Sequence, residues 1–220
     1  MTVLSPAAAY GLWAPTYTEE TATSFLEDRA VRALPIAHAG GWLLDVGCGT
    51  ARRLASSDAA LAVGVDLTVD MLRCARSRGA LAAADVCALP FADDSFDRVW
   101  CRLVIGHVRE LRAAYAELAR VCRRDGEVVV TDFHPDAAAA GHRRTFRDAT
   151  GVVREIEHHV HHPTAHAVAA ARAGLQLVAR RDDCVGEPIR PFYERAGRLA
   201  EYERQRGLRL VLTLAYRCVR

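Results

Sequence analysis

Two acidic residues, each at the end of an apolar run, stand beside closely spaced glycines and could bind a nucleotide. The first run ends in Asp45 and breaks into a turn with Gly47 and Gly49, and the next apolar run ends in Asp66. Glycines let the backbone turn tightly and let a ligand approach where a Cβ atom would collide. The helix that follows offers free N–H groups, and the second acid can accept hydrogen bonds from ribose hydroxyls. This spacing predicts a βαβ nucleotide-binding unit.

Histidines that follow two later apolar runs are candidates for a general base. His107 follows the run 96–101, and His134 follows the run 126–131. The end of a parallel strand is where open α/β sheets bind ligands, although a histidine in such a loop can also bond only to the backbone. We predict catalytic roles for His107 and His134, and contact between His134 and the substrate.

A further group of histidines occupies positions 158, 159, 161, 162 and 166. In a strand, His159 and His161 share one face and can point together toward a substrate. His162 and His166 are spaced to share a helical face, which leaves a metal site as an alternative. Because few acids and no cysteine stand nearby in ligand spacing, we predict no metal site and assign His159 and His161 to the substrate.

Arginines and aromatic residues surround these candidates in the sequence. Guanidinium groups can recognise an anionic substrate, or they can form an ordinary solvated face, at positions 143, 144, 147 and 154. Three aromatic residues near the start of the chain either pack on the first helix or form a lid that excludes water. We predict that these three contact the substrate: Tyr10, Trp13 and Tyr17.

Composition narrows the functional classes. A chain of 220 residues with 51% apolar residues fits one globular domain, and a net charge of +2 gives no bulk attraction to nucleic acid or membrane. All 29 basic residues are arginines, which excludes a lysine nucleophile. The seven cysteines include no C-x-x-C pair, and we find no signal-peptide pattern or transmembrane run. We therefore predict a cytoplasmic protein with reduced thiols, no nucleic-acid partner and no membrane partner.

Alternating strands and helices would position the candidate residues. Apolar runs predict strands over 42–46, 61–65, 80–84, 96–101 and 126–131, and helical periodicity predicts helices over 19–34, 50–57, 68–78 and 107–122. Such alternation predicts a parallel sheet with helices on both faces. Beyond residue 135 the pattern predicts a hairpin over 143–160, a helix over 164–173, and two antiparallel strands over 175–180 and 208–216.

The ordered motifs resemble those of the class I S-adenosylmethionine-dependent methyltransferases. The resemblance rests on Leu-Leu-Asp-Val-Gly-Cys-Gly-Thr (43–50), Gly-Val-Asp (64–66), Ala-Asp-Val (84–86), Leu-Pro-Phe (89–91) and Asp-Ser-Phe-Asp (94–97). It covers roughly residues 40–135 and continues more weakly to the end of the chain. The chain departs from the family at Ala51, where glycine is usual.

The resemblance implies a Rossmann-like α/β fold. We expect a seven-stranded, mostly parallel sheet with helices on both faces, an antiparallel last strand, and a small hairpin or lid insertion after strand five. The implied organisation is one methyltransferase domain over residues 1–220. Its parts would be a helical lid over 1–40, a cofactor-binding core over 41–135, a substrate-side insertion over 136–166, and a C-terminal helix and strands over 167–220.

The resemblance also implies S-adenosylmethionine as the cofactor. The residues that would bind it are Asp45, Gly47, Cys48, Gly49, Asp66, Leu67, Asp85, Val86, Arg102 and Leu103. Among them, Asp66 would bind the ribose hydroxyls, Asp85 would accept from the adenine amine, and Arg102 would face the methionyl group and the substrate. The implied reaction is methyl transfer to oxygen or nitrogen of a polar or anionic small molecule.

Three other functions remain open or are disfavoured by the sequence. A non-catalytic S-adenosylmethionine-binding regulator on the same fold stays an alternative. A dehydrogenase would use the same glycine loop, but it does not explain the block that runs from Asp85 to Phe91. A nucleic-acid methyltransferase is disfavoured, because the chain lacks the Asn/Asp-Pro-Pro-Tyr/Phe motif used on flipped bases and has no basic recognition domain.

Overall fold

A seven-stranded sheet forms the centre of the protein. The computed structural model describes residues 2–17, 20–35, 40–75 and 79–220. The strands are β1 (Val3–Leu4), β2 (Trp42–Val46), β3 (Leu61–Asp66), β4 (Ala80–Ala83), β5 (Phe96–Arg102), β6 (Cys122–Phe133), β7 (Thr145–Arg147), β8 (Val153–Ile156), β9 (Leu175–Cys184) and β10 (Arg209–Cys218). The central order is β4-β3-β2-β5-β6-β10-β9, with β2 to β6 parallel and β10 antiparallel to both neighbours. The predicted fold class is confirmed.

Helices cover the sheet and carry the loops around its carboxyl edge. They are α1 (Pro6–Trp13), α2 (Ala22–Arg32), α3 (Arg52–Ala55), α4 (Val69–Arg73), α5 (Leu111–Val121), α6 (Pro135–Ala139), α7 (Pro163–Arg172), α8 (Arg190–Arg195) and α9 (Leu199–Gln205). Helix α5 shows why such segments are helical, because Leu111, Tyr115 and Leu118 recur at helical spacing and are all buried in the core. None of the helices in the described part of the chain has the length and apolar character needed to cross a membrane.

The predicted elements differ from the observed ones mainly at their ends and in short segments. The helices predicted over 50–57 and 68–78 shrink to α3 and α4, and residues 19 and 76–78 of the predicted helices lie outside the described residues. The fifth predicted strand begins earlier, at Cys122, with Asp125 in a left-handed conformation (φ 61°). Helices α1, α6, α8 and α9 were not predicted, because five to eight residues form too few turns to show a periodicity.

A second, three-stranded sheet brings the start of the chain to the predicted insertion. Strands β7 and β8 form the predicted antiparallel hairpin, and β1 adds to β8 in parallel, with Val3 opposite Glu155. The aromatic side chain of Phe146 is buried between this sheet and α1, where it stacks on Trp13 with a centroid distance of 5.0 Å. This packing holds α1 beside the carboxyl edge of the central sheet.

Candidate active site

A cavity of about 530 Å³ opens at the carboxyl ends of the parallel strands. Strands β2, β3 and β5 contribute Val46, Asp66 and Arg102 to its wall, around the point where the strand order reverses. Ligands of open α/β sheets bind at such a reversal point, and small-molecule sites commonly measure about 300–1,000 Å³. The fold therefore places the glycine loop, Asp66 and Asp85 on one ligand-sized cavity.

The glycine loop after β2 has a backbone that side chains would obstruct. Gly47 has a φ of +73°, and a Cβ atom there would lie 2.1 Å from a methyl carbon of Val104. Gly49 also has a positive φ, of +56°, and both glycines line the cavity together with the buried Cys48. The loop thus presents main chain rather than bulky side chains to a ligand.

Ala51, at the position where the family usually has glycine, is also left-handed. Its φ is 57° and its side chain is completely buried. Because a Cβ atom is disfavoured in this conformation, the methyl group adds strain at the start of α3. Ala51 therefore keeps the left-handed backbone conformation that a glycine would adopt easily at this position of the loop.

The carboxylate of Asp66 lies at the end of β3 and faces the loop. Its Oδ2 accepts a hydrogen bond from the Gly49 N–H at 2.8 Å, and its Oδ1 accepts one from the Thr68 N–H at 2.8 Å. Each carboxylate oxygen retains a further lone pair for ligand hydroxyls. Leu67, the next residue, lines the cavity with 55% of its surface exposed, so an apolar face stands ready beside the acid.

Asp85 and Val86 follow β4 on the same side of the cavity. Oδ1 of Asp85 accepts from the Cys87 N–H at 2.9 Å, and the exposed carboxylate keeps its other oxygen for a donor such as an exocyclic amine. Val86 is buried and presents its side chain to the same space. An aromatic base between Leu67 and Val86 would therefore meet apolar walls and one acceptor.

Asp45 is a fully buried carboxylate at the end of β2. Neither of its oxygens has a hydrogen-bond partner within the described chain. Burial raises its pKa from 3.8 to about 6, although Arg53 and Arg102 oppose this shift. A buried acceptor without a donor is costly unless a ligand supplies one, so Asp45 fits a ligand that carries an ammonium or amide group.

His107 and Tyr10 form the polar contact on the opposite wall of the cavity. Nδ1 of His107 lies 2.9 Å from the carbonyl oxygen of Glu157, and Nε2 lies 3.0 Å from the hydroxyl of Tyr10. Since a carbonyl only accepts, Nδ1 carries the hydrogen and Nε2 is the acceptor. Burial lowers the pKa of His107 from 6.5 to about 3, so the imidazole is neutral at physiological pH. The site thus contains one unprotonated nitrogen, which accepts the hydrogen of the Tyr10 hydroxyl.

Comparison with known proteins assigns this arrangement to a family. A family model described as a methyltransferase domain matches residues 44–130. The 27-O-demethylrifamycin SV methyltransferase of Amycolatopsis mediterranei is 29% identical over 216 residues, which cover 90% of this chain and 76% of that protein. An S-adenosylmethionine-dependent methyltransferase from Mesorhizobium loti has the same fold, with a TM-score of 0.67 and 22% identity over 87% of this chain and 97% of that one.

Residues 44–130 match a methyltransferase domain, and the named relatives and the shared fold support a class I S-adenosylmethionine-dependent methyltransferase. The predicted family, enzyme class and cofactor are thereby confirmed. The glycine loop, the unpartnered Asp45 and the pair Asp66 and Asp85 fit S-adenosylmethionine, whose ammonium, ribose hydroxyls and adenine amine match their acceptors. The roles of the individual residues toward the cofactor stay predictions that this geometry supports.

Three comparisons limit what these similarities say about the reaction of this methyltransferase. Methyltransferase GfsG of Streptomyces halstedii is 32% identical over 175 residues, which cover 70% of this chain but 58% of that protein. The chain spans about half the length of the demethylmenaquinone methyltransferases that it matches. The [4+2]-cyclase SpnF has the same fold, with a TM-score of 0.61 and 21% identity over 90% of this chain and 79% of that one. The fold by itself therefore does not specify the chemistry.

Arg102 and Leu103 lie in the cavity wall of the methyltransferase, but the charge of Arg102 is engaged elsewhere. Its guanidinium bonds to Glu27 and to Asp28 on α2, with the shortest contact, to Glu27, at 2.7 Å. Leu103 has a left-handed backbone with a φ of 59°, and its N–H donates to Oγ1 of Thr131 at 2.9 Å. Arg102 therefore connects α2 to the sheet through its charged group. The part of its side chain that lines the cavity is what remains available for the predicted contact with the methionyl group.

The predicted aromatic residues line the cavity of the methyltransferase and pack on one another. Tyr10 stacks on Trp13 with a centroid distance of 5.8 Å, and Trp13 meets the ring of Tyr17 at 4.7 Å. These rings therefore form a packed cluster that is also part of the cavity wall. Their contact with the substrate stays a prediction.

Three of the predicted histidines lie outside this cavity. His134 is buried at the start of α6, where its Nδ1 accepts from the Asp136 N–H at 3.1 Å. His161 bonds to the carbonyl oxygen of Val108 at 2.7 Å, and Nε2 of His159 lies 3.8 Å from Glu157. The imidazole rings of these three residues contact backbone groups or a surface acid instead of the cavity. Their positions therefore do not support a catalytic role for His134 or contact between any of the three and the substrate.

A buried polar network behind His107 was not predicted from the sequence. Asp132 lies 3.8 Å from Nε2 of His158 and 3.4 Å from Nε2 of His166, and Nδ1 of His166 lies 2.8 Å from the hydroxyl of Tyr115. Although burial alone would raise the pKa of Asp132, these two histidines hold it at about 2. The ring of His158 in turn packs edge-on against His107. Among the described residues, no three histidine, cysteine or acidic side chains are placed to hold a metal ion.

Proposed function

We propose that this chain transfers the methyl group of S-adenosylmethionine to a hydroxyl oxygen of a small molecule. The observation that carries the proposal is the neutral His107 in the cavity, whose Nε2 is an acceptor next to Tyr10. A hydroxyl must lose a proton as it attacks a methyl group, whereas a neutral amine attacks with a free lone pair. The imidazole acceptor therefore favours oxygen over nitrogen as the methylated atom.

The side chains on the cavity act mainly by orientation and by moving one proton. The bound cofactor supplies an activated methyl group on its sulfonium, so the protein adds little covalent chemistry of its own. As the new carbon–oxygen bond forms, the hydroxyl becomes strongly acidic, and Nε2 of His107 accepts its proton directly or through the hydroxyl of Tyr10. A nitrogen of low basicity suffices for this step, and its low pKa keeps it unprotonated beforehand.

The segment before β2 acts as a lid over this reaction in our proposal. Helix α1 lines the cavity with Tyr10 and Trp13, and β1 anchors it to the hairpin β7–β8. Helix α2 is held by the buried carboxylate of Glu27. A wall of this kind excludes water from the reacting atoms. The chain would thus work as one domain, with residues 1–40 and 136–166 on the substrate side.

The named relatives support a small-molecule acceptor. The Amycolatopsis relative is named for a demethylated oxygen on rifamycin SV, and other relatives are named for demethylmenaquinone. A cytoplasmic location and the absence of a nucleic-acid partner stay predictions from composition. The cavity of about 530 Å³ at the proposed methyl-transfer site has the size of a small-molecule site, which also supports such an acceptor.

A turnover assay tests the proposal. The purified chain is supplied with S-adenosylmethionine that carries a labelled methyl group and with a panel of phenols, hydroxy acids and macrolactones. We expect label in at least one hydroxylated compound, and we expect His107→Gln to slow that transfer by about 10²-fold or more. Binding of S-adenosylhomocysteine, measured by titration calorimetry, should stay within about twofold because His107 lies on the acceptor side of the cavity.

His159→Gln is the matched control, since His159 lies outside the cavity and its Nε2 lies 3.8 Å from the carboxylate of Glu157. It should leave turnover unchanged. Cofactor binding without transfer to any hydroxylated compound would favour the non-catalytic regulator instead. Full activity of His107→Gln would remove the imidazole from the reaction while leaving methyl transfer intact.

A further inference from the structure

Four arginines surround the hairpin β7–β8, and three of them have partners within the hairpin segment. Arg143 forms an ion pair with Glu155 at 3.0 Å, and Arg154 forms one with Asp148 at 2.9 Å. Arg147 donates to the carbonyl oxygen of Gly151. These three account for most of the positive charge that the sequence suggested for binding an anion, so they form an ordinary paired surface.

Arg144 differs from the other three. It is half-buried in the cavity wall, and no carboxylate in the described ranges lies within ion-pair distance of its guanidinium. Burial alone would lower its pKa, but the nearby Tyr10 and Asp132 hold that pKa above its ordinary value. An unpaired charge in a cavity is costly to desolvate, so an anionic ligand would stabilise Arg144.

The existing contacts of Arg144 leave most of its donors available. Only Nη2 makes contacts with the described residues, at 3.4 Å to the hydroxyl of Tyr10, 3.4 Å to the carbonyl oxygen of Leu103, and 3.4 Å to Nε2 of His107. These distances exceed the usual 2.7–3.2 Å of an N–H···O bond. A guanidinium carries five N–H donors, and it binds a carboxylate through Nη2 together with either Nε or Nη1. Because the contacts of Nη2 are long, Nη2 and one of these two nitrogens can still bind two oxygens of one ligand.

The backbone of Leu103 contributes to this arrangement. It is left-handed, with a φ of 59°, and a leucine is disfavoured in that conformation. Its N–H is held by the backbone oxygen of Thr131 at 3.1 Å, and its own carbonyl oxygen faces the Arg144 guanidinium. Strained backbone of this kind concentrates at ligand-binding sites. Arg144 is thus positioned by contacts from α1 and from the turn after β5 rather than by a partner acid.

We propose that Arg144 binds a carboxylate of the methyl acceptor, so that the acceptor is a hydroxy acid whose carboxylate lies a few bonds from the methylated hydroxyl. The inference rests on the proposed function, because His107 marks where that hydroxyl reacts. The contact of 3.4 Å between Nη2 of Arg144 and Nε2 of His107 requires the two groups of the acceptor to be close together. A single guanidinium balances the single negative charge of a carboxylate, whereas it would leave one charge of a phosphate dianion unbalanced.

Binding of simple probes tests the carboxylate site without turnover. The protein is saturated with S-adenosylhomocysteine and titrated in a calorimeter with salicylate (an ortho-hydroxy acid), with its neutral analogue salicylamide, and with inorganic phosphate. We expect salicylate to bind at least about tenfold more tightly than salicylamide or phosphate. Arg144→Gln should remove that preference, and Arg144→Lys should keep only part of it, since an ammonium retains the charge without the fork.

Arg147→Gln is the matched control, because Arg147 belongs to the same hairpin and, among the residues that the structure describes, hydrogen-bonds to its own turn rather than to the cavity. It should leave all three affinities unchanged. Equal binding of salicylate and salicylamide to the natural chain, undetectable salicylate binding, tighter binding of phosphate, or an unchanged preference in Arg144→Gln would each overturn the proposal. Weaker S-adenosylhomocysteine binding in Arg144→Gln would also overturn it, because Arg144 would then serve the cofactor carboxylate. Failure of methyl transfer in the turnover assay is a separate result, since these titrations involve no reaction.

Discussion

Glu27 and Arg102 form a buried, two-bonded ion pair that fastens helix α2 to the central sheet. Nε of Arg102 donates to Oε1 of Glu27 at 2.7 Å, and Nη2 donates to Oε2 at 2.9 Å. Arg53 from α3 adds a third donor at 2.9 Å, and the hydroxyl of Thr131 adds a fourth at 3.0 Å. The carboxylate is fully buried, and although burial alone would raise its pKa, these partners hold the pKa below its ordinary value. One acid thus joins four elements around the cofactor cavity.

Removing this charge should destabilise the protein strongly. In Glu27→Gln, the buried Arg102 and Arg53 lose their carboxylate, and breaking one side of a buried pair typically costs about 3–5 kcal/mol. Urea denaturation followed by circular dichroism measures the loss in the free energy of unfolding. Asp28→Asn is the neighbouring control, because Asp28 is more exposed and should cost no more than about 1 kcal/mol. Equal losses in the two variants would contradict this account of the pair.

Asp66→Asn should weaken cofactor binding. The amide removes charge-assisted acceptors for the ribose and turns an N–H group toward the backbone donors of Gly49 and Thr68. A hydrogen bond to a charged group contributes about 1.5–3 kcal/mol, so we expect an affinity loss of about tenfold or more for S-adenosylhomocysteine. Titration calorimetry measures it, with Asp70→Asn as the control, since Asp70 forms an ion pair with Arg73 at the surface and does not line the cavity. An unchanged affinity would refute the ribose assignment of Asp66.

Asp45→Asn should stabilise the cofactor-free protein while weakening cofactor binding. The pKa of Asp45 is about 6 in the folded protein and near 4 in the unfolded chain. The contribution of Asp45 to the free energy of unfolding is therefore most favourable below about pH 4 and is lost as the pH rises through about 6. Two pKa units correspond to about 3 kcal/mol, which sets the upper limit of the gain at pH 7. Thermal unfolding of both proteins at pH 4 and pH 7 measures it. The stability difference should grow between these two pH values, and a difference that stays constant would show that Asp45 keeps its ordinary pKa.

Ala51→Gly should stabilise the fold by relieving the left-handed backbone at the glycine loop. A Cβ atom in this conformation costs about 1–2 kcal/mol, part of which the greater freedom of glycine in the unfolded chain cancels. We expect a net gain of up to about 1 kcal/mol in the free energy of unfolding. Ala171→Gly within α7 is the control and should lose about 1 kcal/mol, because its backbone is helical. Destabilisation of Ala51→Gly to the same extent would contradict a strained loop.

The cofactor side of the cavity was largely predictable from the sequence. Asp45, the glycines after it, Asp66 and Asp85 each stand at the end of a strand or in the turn that follows. In a parallel sheet the carboxyl ends of the strands meet at one edge, so chain order alone brings such residues together. The same logic explains why Leu67 and Val86, each next to one of these acids in the chain, line the same cavity.

The acceptor side was much less predictable, because its contacts join residues far apart in the chain. Tyr10 reaches His107, and Arg144 reaches both, through packing of α1 and the hairpin against the sheet. His134 follows the end of β6 just as Asp66 ends β3, so the sequence predicts that both face the ligand. The turn into α6 instead directs the His134 ring to the backbone and away from the cavity.

By itself, the sequence determined the α/β fold, the family motifs and the cofactor, because local periodicity and short spacings encode strands, turns and strand ends. Only the tertiary structure decided which charged groups are paired and which are free. Glu27 and Arg102 cancel each other in the interior, whereas Arg144 keeps its charge at the cavity. The reason is physical: pairing and burial depend on distances between elements, and no spacing within one element specifies them.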